Sequence, residues 1–117
     1  MYEEYAEYLP HINVAEGTAR VMNNLKLYMT LLGKFKGRQM ADDLLNAIKT
    51  SDDTKVVQCA HALRGTAGNL GFPTLHEITE KIEKLGKAGE DASHLCKPLS
   101  ESVDALLEVI AKITTLP

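Results

Sequence analysis

The sequence predicts an all-α domain, an antiparallel four-helix bundle with a short additional helix at its N-terminal end. Three observations carry this reading. Apolar residues recur at three- and four-residue spacing almost throughout, as they do when one stripe of each helix faces a core. Turn signals are few. The 117 residues suffice for one core but not two, so residues 1–117 are read as a single domain.

After an opening around Ile12 and Val14, the spacing predicts a brief helix over 15–22, weakened by Gly17, because a helix-interior glycine costs about 1 kcal/mol relative to alanine. A second helix is expected over 24–36, with Leu25, Tyr28, Met29, Leu32 and Phe35 on one face and Gly37 as its C-terminal cap. A third covers 38–50 and buries Met40, Leu44 and Ile48. The cluster Thr50, Ser51, Asp52, Asp53 supplies N-cap side chains and negative charge for a fourth helix. That helix runs to Leu70, because Val56, Ala60, Leu63, Ala67 and Leu70 form an unbroken stripe. Gly71 and Pro73 then stop it. A fifth helix over 73–86 buries Leu75, Ile78, Ile82 and Leu85. The last turns Leu95, Leu99, Leu106, Ile110 and Ile113 inward and begins either with Ser93 as N-cap or later, at Pro98. Four longer helices on short loops make the bundle, and the brief opening helix caps one end.

Composition narrows the function classes. The apolar fraction of 44% and charged fraction of 25% are those of a globular domain. No apolar run approaches the ~20 residues that cross a bilayer, and MYEEYAEYLP is acidic where a secretory signal is basic and then apolar. A cytoplasmic domain without membrane contact is expected. Cys59 and Cys96 sit in no metal-binding spacing and are read as free thiols. A net charge of −3 with no basic cluster argues against nucleic acid as a partner. The lysines at 34, 36, 81, 84 and 87 and the glutamates among them read as solvated helix faces.

The chemistry concentrates on the fourth helix. Val57, His61, Arg64, Gly68 and Gly71 form a second stripe displaced one residue, ~100°, from the core stripe, so His61 is expected to face solvent beside the bundle seam. Gly65 and Gly68 follow it at one and nearly two turns. A single helical glycine usually serves close packing, but two beside an exposed histidine clear a surface on which a second protein can bring a reactive group to the ring. Arg64, at i+3, adds a permanent cation whose fork fits phosphate oxygens. A free imidazole is largely neutral near neutral pH, and its ring nitrogen can accept a phosphoryl group. No carboxylate or second histidine lies at i±3 or i±4 from His61, so no helical metal site or local acid–base pair is predicted.

The stretch AHALRGTAGNLG, residues 60–71, resembles the signature of histidine-containing phosphotransfer domains, in which His-x-Leu-Lys-Gly precedes small residues and a glycine. His61, Leu63, Gly65 and Gly71 match it, and the helix order agrees over nearly the whole chain. The resemblance implies a phosphorelay intermediate in which His61 accepts a phosphoryl group from a receiver-domain phospho-aspartate and passes it to another receiver. It implies a carrier without an enzyme activity or cofactor of its own, with Mg²⁺ on the partner receiver. The implied partners are response-regulator receiver domains and a hybrid sensor histidine kinase, and the implied state is a monomer. Arg64 stands where the family usually has lysine and is expected to contact the phosphoryl group. Val57, Gly65 and Gly68 are the expected docking and clearance positions.

Hairpin arithmetic adds Glu83. His61 lies ten residues before Gly71 and Glu83 ten after Pro73, so both sit ~15 Å from the turn at ~1.5 Å per residue. Members of the family often place Gln or Glu there to hold the imidazole through its other nitrogen. The competing reading of Glu83 is a solvent-exposed helix glutamate. Rival functions are weaker. The segment HEITE, from His76, lacks the second histidine of a zinc-protease helix, and GTAGNLG lacks phosphate-loop spacing. The alternative from another class is a scaffold of the same shape that binds receivers without turning over phosphate. A plain structural bundle would bury His61 or tuck Gly65 and Gly68 against another helix.

Overall fold

A computed structural model of the chain describes residues 2–115. After a 3₁₀ segment, Glu3–Tyr8, six α-helices follow: α1 (Val14–Ala19), α2 (Leu25–Gly33), α3 (Gly37–Lys49), α4 (Asp53–Leu70), α5 (Pro73–Lys87) and α6 (Cys96–Thr114). A second short 3₁₀ turn, Ser93–Leu95, leads into α6, and no strand occurs among the described residues. Helix α3 packs on α4, α4 on α5, α5 on α6, and α6 back on α3, which closes the four-helix bundle. Helices α1 and α2 cover one end of it, α1 against α4 and α2 against α6 and α4. No helix is long and apolar enough to cross a membrane among the described residues.

Side-chain caps set three of the helix starts. Asn13 accepts from the Glu16 amide, Asn24 from that of Leu27 and Asp52 from that of Lys55, each satisfying a first-turn N–H that has no helical partner. Helix α4 ends as expected, on Gly71 at φ 76°, a left-handed backbone that glycine adopts without steric cost. A Cβ there would lie 2.6 Å from the Asn13 carbonyl oxygen, because the chain before α1 crosses at this point and the Asn13 N–H donates to the Gly71 carbonyl at 2.7 Å. Pro73 then occupies the first position of α5, where a missing N–H is tolerated.

Three boundaries differ from the pattern-based reading. Helix α1 ends at Ala19, short of the expected residue 22, and the chain turns through positive φ at Met22 and Asn23. Helix α2 ends at Gly33, and Gly37 opens α3 instead of capping α2. Gly37 is buried, with the Phe35 ring lying 2.5 Å from where its Cβ would be. The glycine makes room for an aromatic side chain that packs on Phe72, ring centroids 5.0 Å apart. Ser93 is not the N-cap of α6. Its N–H and hydroxyl both donate to Asp91, at 3.0 and 2.6 Å, so it closes the preceding turn. The Glu3–Tyr8 segment had no periodicity to announce it.

The core runs the length of the bundle through Leu44, Ala60, Leu63, Leu75, Ile82, Leu99, Val103 and Leu106, all essentially inaccessible. The α4 stripe is buried at Val56, Ala60, Leu63 and Ala67 and half-buried at Leu70. This fixes the rotation of α4 about its axis and thereby the direction of every other side chain on it.

Candidate functional site

Because Ala60 points into the core, its neighbour His61 is turned to the outside of α4, with a side chain 66% exposed. Across the seam, α5 runs antiparallel from the Gly71 turn, and the buried Ile82 sets its rotation. Its next residue, Glu83, is thereby laid against α4 with only 5% of its side chain exposed. Glu83 Oε2 lies 3.0 Å from His61 Nδ1. Arg64, one turn along α4, places Nε 2.7 Å from Glu83 Oε1 and Nη2 3.2 Å from His61 Nδ1. Lys87, one turn along α5, places Nζ 3.2 Å from Glu83 Oε2. One buried carboxylate thus gathers an imidazole and two cations.

The ring nitrogen Nδ1 cannot donate to Glu83 and accept from Arg64 at once. A buried carboxylate is the stronger partner, since hydrogen bonds to ionised acceptors are about twice as strong as neutral ones. Nδ1 therefore carries the proton, and the Arg64 Nη2 contact is one between two donors. Nor is Arg64 Nε–H aligned for a hydrogen bond with Glu83, despite the short separation. The guanidinium is held by charge. Burial pushes the Glu83 carboxyl up, but the His61 and Lys87 hydrogen bonds and the nearby Arg64 charge outweigh it and leave the group below its ordinary value.

Fixing the proton on Nδ1 leaves the lone pair on Nε2, at the far end of a ring that is two-thirds exposed. The surface beside it is open at Gly65, where a Cβ would meet nothing within 4 Å. At Gly68 a Cβ would touch the His76 ring of α5 at 3.4 Å, an ordinary contact, so this glycine borders the α4–α5 seam. Val57 is half-buried, its Cγ2 lying 3.0 Å from where a Gly86 Cβ would be. It lines one wall of a 440 Å³ cleft with Thr54, Gln58 and Lys87. A solvent-facing nucleophile on a cleared helix face suits a macromolecular partner that brings its own reactive group.

Glu83 and His61 are brought together as the hairpin arithmetic placed them, and Glu83 is buried, not a solvated helix glutamate. Lys87 was read as part of a solvated face. The signal for it was the i, i+4 spacing from Glu83, with the acid N-terminal to the base, which becomes informative only once Glu83 is known to face α4. His76 stands at the seam beside Gly68, and no group of three or more His, Cys, Asp or Glu side chains converges to hold a metal among the described residues.

A protein-family model described as Hpt domain matches residues 36–113, two-thirds of the chain. The matched span takes in all four bundle helices with His61, Arg64, Glu83 and Lys87. No curated protein and no solved structure matches the chain significantly.

Proposed function

The chain belongs to the Hpt domain family, which gives it a phosphotransfer role in two-component signalling as a phosphocarrier, and on that premise we propose that His61 is the residue that carries the phosphoryl group. The observation that supports this most is the pairing of a two-thirds exposed imidazole with a buried carboxylate on its inner nitrogen. In this reading Nε2 attacks the phosphorus of a receiver's phospho-aspartate in line. The P–O bond to aspartate breaks, and the carboxylate leaves with the bonding pair. The ring keeps its Nδ1 proton and becomes cationic, a charge that Glu83 stabilises across 3.0 Å. Passing the group to a second receiver reverses these steps, with neutral Nδ1–H imidazole as the leaving group.

Arg64 is assigned to the phosphoryl oxygens, which lie within reach of its long side chain from the next turn of α4. Gly65 and Gly68 give the receiver room to close on the ring, and Val57 borders its footprint. The Mg²⁺ of the transfer is assigned to the receiver. The carboxylate in contact with His61 is already shared among Nδ1, Arg64 and Lys87, which leaves it a poor ligand for a hard cation. The partners in this reading are receiver domains and a hybrid sensor kinase, met in the cytoplasm by a monomer.

The test is incubation with a phosphorylated receiver. The expected result is acid-labile, alkali-stable label on the wild type and none on His61→Ala. A receiver that binds the wild type without labelling it would establish the scaffold reading instead.

A further inference from the structure

Glu83 is faced by more positive charge than the orientation of one imidazole requires. From α4 it meets His61 and Arg64, and from its own helix Lys87. No ionisable group of α6, which also packs on α5, bears on its titration. The two cations are not equivalent. Arg64 makes no aligned hydrogen bond to Glu83 through Nε, and its Nη2 abuts a ring nitrogen whose proton is already given to Glu83. Lys87 sits on Oε2, the same oxygen that Nδ1 uses.

Phosphorylation of Nε2 makes the ring a cation, so the Arg64 Nη2 contact becomes a meeting of like charges. The same event places three phosphoryl oxygens near a side chain that is one-third exposed. Both changes drive Arg64 from Glu83 toward the phosphoryl group. Glu83 stays buried, and a buried carboxylate that loses a cationic partner is destabilised unless another remains.

We propose that Lys87 is a positioning residue that keeps Glu83 aligned on His61 Nδ1 after Arg64 has moved to the phosphoryl oxygens. The inference rests on the assignment of His61 as the phosphoryl site. It predicts state-dependent redundancy, in which either cation suffices before phosphorylation and Lys87 alone serves afterwards.

The full chain, Lys87→Met, Lys87→Arg and the double variant Arg64→Ala/Lys87→Met are labelled with phosphoramidate, without any receiver. Nε2 attacks phosphorus, the P–N bond breaks, ammonia leaves with the bonding pair, and the Nδ1 proton stays on the ring. Nitrogen-15 NMR reads the ring tautomer before labelling, and phosphorus-31 NMR reads the pH profile of phosphoryl loss afterwards. Loss is fast while the phosphorylated ring holds its Nδ1 proton and slows when that proton leaves. In the unlabelled protein Lys87→Met is expected to keep the Nδ1–H tautomer, and the double variant to lose much of it. In the labelled protein Lys87→Met alone is expected to move the alkaline limb to lower pH, on the order of one unit, and Lys87→Arg to restore it.

Simple removal of a nearby positive charge moves the limb the other way, because the ring then holds its proton more firmly. An unmoved or raised limb in Lys87→Met, or a tautomer change in that variant before labelling, overturns the proposal. Label passed from a phosphorylated receiver to the wild type and absent from His61→Ala upholds the carrier reading whatever Lys87 does. Failure of phosphoramidate to label His61 overturns both.

Discussion

At His61 the decisive quantity is the location of one proton. Glu83 holds it on Nδ1 and so leaves the lone pair on Nε2. Arg64→Ala leaves that hydrogen bond in place and removes the cation assigned to the phosphoryl oxygens. Transfer from a phosphorylated receiver should slow by roughly 10–100-fold, the rate equivalent of one charge-assisted hydrogen bond, with receiver binding little changed. Stopped-time labelling checks it, and an unaltered rate refutes the assignment. Glu83 yields a pH prediction. Its carboxyl in the fold lies below the ordinary value of 4.5, so its ionised form stabilises the native state. That contribution is complete above the unfolded value and is lost as pH falls through the lower, folded value. Urea denaturation in acid steps should therefore show wild type losing more stability than Glu83→Gln below about pH 4.5. Parallel losses would remove Glu83 from the acid response. His61 and Arg64 were legible because α4 has a clean stripe that reports direction. The burial of Glu83 and the role of Lys87 were not, since both depend on how α5 is rotated against α4, and a helix carrying mixed charge looks solvated until its partner is known.

Along α4, glycine marks where the helix gives up intrinsic stability. Gly65 is exposed and a Cβ there has nothing within 4 Å, so no packing accounts for it. Gly65→Ala should stabilise the protein by about 0.5–1 kcal/mol, read by thermal or urea denaturation. Gly65→Tyr should keep the fold and cut labelling by a receiver far more than labelling by phosphoramidate, because only the former needs a second protein against the helix. Equal losses with both donors would argue against a docking role. The limits of α4 and α5 were readable because Asp52, Gly71 and Pro73 each signal a terminus by a local backbone mechanism. The ends of α2 and the start of α6 were not. Gly37 has the residue type of a cap but serves the packing of Phe35, and Ser93 bonds to Asp91 in a separate turn. In both cases a non-local or side-chain contact claimed a residue whose local propensity suggested another use.

Over the whole molecule, the α1–α2 cap is fastened to the same helix that presents His61, but at its far end. Tyr28 of α2 is fully buried and its hydroxyl donates to the Leu70 carbonyl at 2.6 Å, while burial holds that hydroxyl's pKa well above the ordinary tyrosine value. Gly17 of α1 lies in the same joint. A Cβ on it would stand 2.6 Å from Tyr28 Cζ and 2.7 Å from the Leu70 carbonyl oxygen, so the glycine that made α1 a poor helix in the sequence is the one that lets it dock. The consequence is that one substitution has opposite signs at two sites. Gly17→Ala gains helix propensity but forces the Tyr28 ring or α1 itself to shift, and overpacking of this kind costs roughly 1–3 kcal/mol, more than the propensity gain of about 1. Denaturation should show Gly17→Ala less stable than wild type where Gly65→Ala is more so. His61 is nine residues from Leu70, ~13 Å along the helix, and the ion pairs that hold it run among Glu83, Arg64 and Lys87 of α4 and α5. Phosphoramidate labelling well below the melting temperature should therefore be unchanged in Gly17→Ala. A loss of labelling there, with the fold intact, would mean that the cap and the histidine site are coupled through α4.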